Sequence, residues 1–102
     1  MMNFFGLEAD DMDAIRSILA AHSEIESAIL YGSRATGRFR SGSDIDLFLT
    51  GKNLTDNTIL DVCAEFRDSN VPYRVDIVAE NDIGNENLKR EITATGRLFW
   101  KS

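Results

Sequence analysis

Three short apolar runs, residues 25 to 31, 44 to 50 and 73 to 79, are separated by stretches whose apolar residues recur with a helical period. That alternation limits the chain to helices packed on one small sheet. In DIDLFLT, Ile45, Leu47 and Leu49 share one strand face while Asp44, Asp46 and Phe48 share the other. In YRVDIVA, Tyr73, Val75 and Ile77 oppose Arg74, Asp76 and Val78. The run IESAILY ends at Gly32. Met12, Ile15 and Leu19 predict a helix over 11–22, capped by Asp10 or Asp11. Ile59, Val62, Cys63 and Phe66 predict one over 57–69, and Leu88 and Ile92 one over 86–95, with Gly96 in the usual C-terminal position. A short helix or turn over 33–38 closes at Gly37, Ser41, Gly42 and Ser43 mark a loop, and RLFW reads as a short edge strand. The expectation is a single α/β (α+β) domain over residues 1–102, a small mixed β-sheet with helices packed on it.

With 102 residues and 43% apolar content the chain suits one globular core. A core this small leaves room for oligomers, including a homo-oligomer, or a partner subunit. The net charge of −6 argues against a dedicated nucleic-acid binder, which needs surplus Lys and Arg to neutralise phosphates. Yet Arg34, Arg38 and Arg40 fall within seven positions of one another, so a local anion site is compatible with an acidic protein. A lone Cys63 excludes an internal disulfide and a multi-Cys zinc site. No stretch reaches the roughly 18 apolar residues of a membrane span, and the default placement is soluble and cytoplasmic.

The costly residues are the carboxylates. Aspartate is unfavourable inside strands, yet Asp44 and Asp46 stand two apart in one apolar run and Asp76 interrupts another. Two such groups on one face repel and raise one another's pKa unless a cation intervenes. An all-oxygen set beside a phosphate suits Mg²⁺ better than zinc, and three carboxylates can hold two ions for in-line phosphoryl chemistry. Upstream, Gly32-Ser33 ends a strand and opens a short helical turn, where free N–H groups and a hydroxyl can meet an anion. Neither a Walker loop nor a dinucleotide fingerprint is present.

Gly32-Ser33, ten intervening residues and then Asp44-Ile45-Asp46 resemble the G-S-x10-D-x-D signature of the DNA polymerase beta-like nucleotidyltransferase superfamily. GSRATG followed by SDIDL is similar to its smallest branch, the minimal nucleotidyltransferase (MNT) domains, and Asp76 in RVDIV stands at the place of the third carboxylate. The resemblance spans nearly the whole chain. It implies that Asp44 and Asp46 ligate metal and position a nucleoside triphosphate, that Asp76 binds the catalytic metal, and that Gly32 and Ser33 hold the β- and γ-phosphates. Arg34 has the motif position, with a phosphate or structural task. Arg38 and Arg40 are added as phosphate contacts on charge alone. The implied cofactors are two Mg²⁺ ions, with ATP or another nucleoside triphosphate as substrate.

The implied activity is transfer of a nucleoside monophosphate, AMP from ATP in the first instance, to a hydroxyl acceptor. Larger superfamily members carry an extra domain that grips the acceptor, whereas minimal domains are usually encoded beside a small all-helical partner of the HEPN or substrate-binding type. With a HEPN toxin as partner, the domain would be an antitoxin that adenylylates or simply binds it. A nucleotide-binding domain without turnover is the third reading. Nucleic acid is the least favoured acceptor.

Overall fold

The computed structural model describes residues 5–40, 42–80 and 84–102; of the expected loop, Ser41 lies outside them, as do residues 1–4 of the expected single domain. The elements run α1 (Ala9–Ala20), β1 (Ser27–Tyr31), α2 (Ser33–Thr36), β2 (Ile45–Thr50), α3 (Asp56–Asp68), β3 (Val75–Ala79), α4 (Glu86–Thr95) and β4 (Arg97–Lys101). Among the described residues the strands form one sheet in the order β3-β2-β1-β4. β1 pairs antiparallel with both β2 and β4, and β2 pairs parallel with β3, so the sheet is mixed as expected. Parallel strands need a long crossover, and α3 supplies it.

Alternation along the strands decides which face is covered. Ile45, Leu47 and Leu49 are fully buried and join Ala28, Leu30, Ile15, Leu19 and Val62 in the core between the sheet, α1 and α3. Each buried Leu, Ile or Val side chain contributes about 1.5–3 kcal/mol relative to exposure. The opposite face is covered less completely. It carries Ile29, Tyr31, Asp46, Phe48 and Asp76, with α4 lying against β1. No residue of α4 is fully buried.

Local rules account for most boundaries. Thr55 caps α3 by accepting from the Thr58 backbone N–H at 3.2 Å, and Asn85 caps α4 by accepting from Asn87 and Leu88. The cap expected for α1 is not made: the helix starts at Ala9, leaving Asp10 and Asp11 in its first turn, where they face the positive end of the helix dipole. β2 starts one residue later than expected, so Asp44 lies just outside it. Gly96 differs in its reason rather than its place. Its φ of −62° is ordinary, but a Cβ there would meet the Ile92 carbonyl oxygen at 2.4 Å and the Ile29 side chain at 2.8 Å. Glycine at this position lets α4 turn tightly into β4 over the sheet.

Candidate active site

One row of side chains crosses the half-covered face. Tyr31 on β1 pairs in register with Asp46 on β2, and Asp46 pairs with Asp76 on β3. Residues paired in register share a face, and neighbouring strands lie about 4.8 Å apart. Asp46 and Asp76 are therefore lateral neighbours on one side of the sheet. Asp44 stands two residues before Asp46, at the exposed end of the loop that leads into β2.

The electrostatics record this crowding. The carboxyl of Asp46 is pushed up to about 6, first by burial and then by the negative charges of Asp76, Asp44 and Glu91. The Tyr31 phenol is pushed up to about 12 by burial and by Asp46, Glu91 and Asp76. Asp76 has a counter-ion: its Oδ1 accepts from Arg74 Nε at 3.1 Å. Arg74 is two residues away along the same strand edge, on the face the period-two pattern assigns to it.

Gly32 joins the row to the turn. Its φ of 77° and ψ of −153° occupy a region that is essentially glycine's own. A Cβ built there would also lie 2.8 Å from Asp46 Oδ2 and 3.7 Å from Glu91 Oε1. The glycine thus frees the backbone for the turn and leaves space for the Asp46 carboxylate. From the turn, the Gly32 carbonyl accepts from the backbone N–H groups of Ala35 and Thr36, starting α2. Thr95 on α4 accepts from the Gly32 N–H at 3.3 Å and donates to the Glu91 carbonyl at 2.7 Å. Arg97 donates to the Ala35 carbonyl at 2.8 Å, tying the start of β4 to the same turn. Ser33 is partly exposed, and its hydroxyl makes no hydrogen bond among the described residues.

The three arginines divide. Arg34, whose motif position left a phosphate or a structural task open, is 1% exposed and turned into the interior. Its Nε donates to the Ser43 carbonyl at 3.0 Å, and its Nη1 donates to the carbonyls of Phe5 (2.9 Å) and Gly6 (3.3 Å). The guanidinium also lies over the rings of Tyr73 and Phe39, at 4.4 and 5.3 Å. Buried, bonded to three carbonyls and lying over two rings, Arg34 fits the structural task, fastening the chain before α1 to the loop before β2. Arg38 and Arg40 are exposed in that loop, and neither guanidinium reaches a site carboxylate among the described residues. Phosphate binding by these two is without structural support.

Four residues of the neighbourhood were not expected: Tyr31, Arg74, Glu91 and Thr95. Arg74 and Tyr31 sit on strands already assigned, so strand register alone would have found them. Glu91 and Thr95 depend on how α4 lies across the sheet, which no local pattern encodes.

The donor set bears on a metal. All side chains on the row carry oxygen donors, and Asp46 is raised first by burial and then by the neighbouring carboxylates, a balance that a bound cation would relieve. Among the described residues, no three carboxylates stand close enough as they are to hold an ion, Asp76 being turned onto Arg74. The all-oxygen chemistry of the set suits Mg²⁺.

Comparison with known families decides the kinship. The model of the polymerase beta nucleotidyltransferase family matches residues 13–102. The chain belongs to this family. Solved structures of similar fold agree with that assignment. A toxin–antitoxin structure with AMP-PNP superposes with a TM-score of 0.73 at 18% identity, covering 89% of this chain and 73% of that one. A structure of tri-AMPylated HEPN toxin with MNT antitoxin from Shewanella oneidensis gives 0.69 at 15% identity, covering 94% and 74%. No curated protein matches the sequence closely enough to report. The nucleotidyltransferase has no helix, among its described residues, long and apolar enough to cross a membrane.

Proposed function

We propose that this nucleotidyltransferase domain transfers AMP from ATP to a hydroxyl on a small helical partner protein, with Mg²⁺. The observation that carries the reading is the adjacency of Asp46 and Asp76 in register, with the Gly32 turn pressed against Asp46. Asp44, Asp46 and Asp76 would hold the metal, which when bound supplies charge neutralisation and polarisation of the phosphates. Gly32 and Ser33 would position the β- and γ-phosphates through the turn backbone and the unengaged hydroxyl.

The hydroxyl oxygen forms a bond to the α-phosphorus while the bond from that phosphorus to the α–β bridging oxygen breaks. Pyrophosphate leaves with the electron pair, and the hydroxyl proton passes to a carboxylate of the row or to water. Attacking and leaving oxygens lie in line. The protein's work is positioning, together with stabilisation of the charge that moves onto the pyrophosphate.

A second reading is supported by the structures of similar fold. They are toxin–antitoxin proteins, one with AMP-PNP and one with a tri-AMPylated HEPN toxin. On this reading the domain is an antitoxin whose acceptor, or merely whose binding target, is its HEPN partner. One experiment separates the possibilities. The chain, MgATP labelled at the α-phosphate and the helical protein encoded beside it are combined. Label on the partner that disappears with Asp44→Ala plus Asp46→Ala supports transfer. Equal labelling by the double variant overturns the site. Full neutralisation of a toxic partner by that variant, without labelling, supports binding alone.

A further inference from the structure

The carboxylate row has two ends. The Gly32-Ser33 turn follows β1, Asp46 is on β2, and Asp76 is on β3, the outermost strand on that side. In the proposed reaction, pyrophosphate is held at the β1 end. In-line displacement requires the attacking hydroxyl to arrive from the opposite side of the α-phosphorus. It must therefore approach from the β3 end.

A cavity of about 440 Å³ opens at that end, between α3 and the start of β3. Cys63, Phe66 and Arg67 line it from α3, at the i, i+3, i+4 spacing of one helix face. Tyr73, Arg74 and Asp76 line it from the strand side. The volume is within the range of a specific binding cleft. Its chemistry is unlike the rest of this acidic chain: two guanidinium groups and two aromatic rings beside a carboxylate already assigned to the reaction. The outer edge of β3 has no strand partner among the described residues. A free strand edge pairs with extended polypeptide, and paired guanidinium groups select carboxylates.

We propose that this groove receives the acceptor, and that the acceptor is an extended, acidic polypeptide segment whose hydroxyl side chain reaches Asp76. Phe66 and Tyr73 contact the acceptor residue, and Arg67 and Arg74 take its acidic neighbours. Arg74 then has two partners in turn: Asp76 in the free protein, as observed, and the acceptor once Asp76 is engaged by metal. The inference rests on the proposed transfer reaction for its direction of approach, but the groove binds or fails to bind independently of turnover.

The test uses the full chain and a fluorescein-labelled peptide with one tyrosine flanked on each side by two acidic residues. A second peptide has lysines in their place, and a labelled oligoribonucleotide is the third probe. Anisotropy should show binding of the acidic peptide only. Alkylating Cys63, the single cysteine, with N-ethylmaleimide, or making Arg67→Glu, should weaken that binding about tenfold. Calorimetric binding of MgATP should be unchanged by either. Equal binding of both peptides, preference for the oligoribonucleotide, or insensitivity to both modifications overturns the groove. If the peptide binds as described but no AMP reaches any acceptor, the transfer reading fails and the groove stands. If AMP is transferred to a partner with a KM unaltered by both modifications, transfer stands and the groove fails.

Discussion

Replacing Asp46 by Asn should make the metal-free protein more stable while removing its activity. In the folded protein the Asp46 carboxyl is raised from 3.8 to about 6. Its proton is therefore held more tightly folded than unfolded. The associated cost is absent below pH 3.8, grows as pH rises towards 6 and is complete above it. At about 1.4 kcal/mol per pH unit the shift corresponds to roughly 3 kcal/mol. Asp46 is only half-buried, and solvent screening reduces this to about 1.5 kcal/mol. Asparagine keeps the shape and removes the charge. Thermal melts without metal at pH 7.5 should then show Asp46→Asn unfolding roughly 6–12 °C above the unmodified protein. At pH 3.8 or below the two should melt together. Added Mg²⁺ should raise the melting temperature of the unmodified protein and leave the variant unmoved. A variant that melts at or below the parent at pH 7.5 would refute the claim that burial and the neighbouring carboxylates disfavour the Asp46 charge.

Three further predictions concern other parts of the site. Gly32→Ala should cost about 1–3 kcal/mol by forcing a side chain into glycine-only backbone, and should abolish nucleotide binding by displacing Asp46; calorimetry and melting read both. Arg34→Ala should lower stability by about 3 kcal/mol, because it strands three carbonyl acceptors, and Arg34→Lys should not restore it, since an ammonium cannot span them or stack on Tyr73; chemical denaturation measures both variants. Transfer activity at low Mg²⁺ should rise with pH through about 6 as Asp46 ionises, and this midpoint should move to lower pH at saturating Mg²⁺, as a pH–rate series at two metal concentrations will show.

The parts legible in the sequence are those governed by short-range periods. Ile45, Leu47 and Leu49 announced their buried face, and with it the opposite face for Asp46. The same period put Asp76 and Arg74 on one face of the expected strand over 73–79, although Arg74 lies just before β3 itself, and parallel pairing with β2 then set Asp76 beside Asp46. Arg34 was harder because its task is defined by Phe5, Gly6, Phe39, Ser43 and Tyr73, which come together only in the fold. A cluster of basic residues beside a phosphate-type turn looks the same whether its members face a ligand or the interior. Glu91 and Thr95 were hidden for a related reason: α4 has a polar surface and weak burial, so its apolar spacing does not say which carboxylate it brings over the turn. Gly96 was legible as a helix stop, yet its requirement is close approach to Ile29 and Ile92, a tertiary demand.

The proposed activity is transfer of AMP, as opposed to binding alone or transfer of a phosphoryl group. The most direct measurement is the intact mass of the helical partner protein after incubation with this chain, ATP and Mg²⁺. AMP transfer should add one AMP per modified site, with pyrophosphate released in equal amount and no gain when Asp44 and Asp46 are both alanine. A gain of a single phosphate, or an unmodified partner in a stable complex with the active-site residues intact, would contradict it.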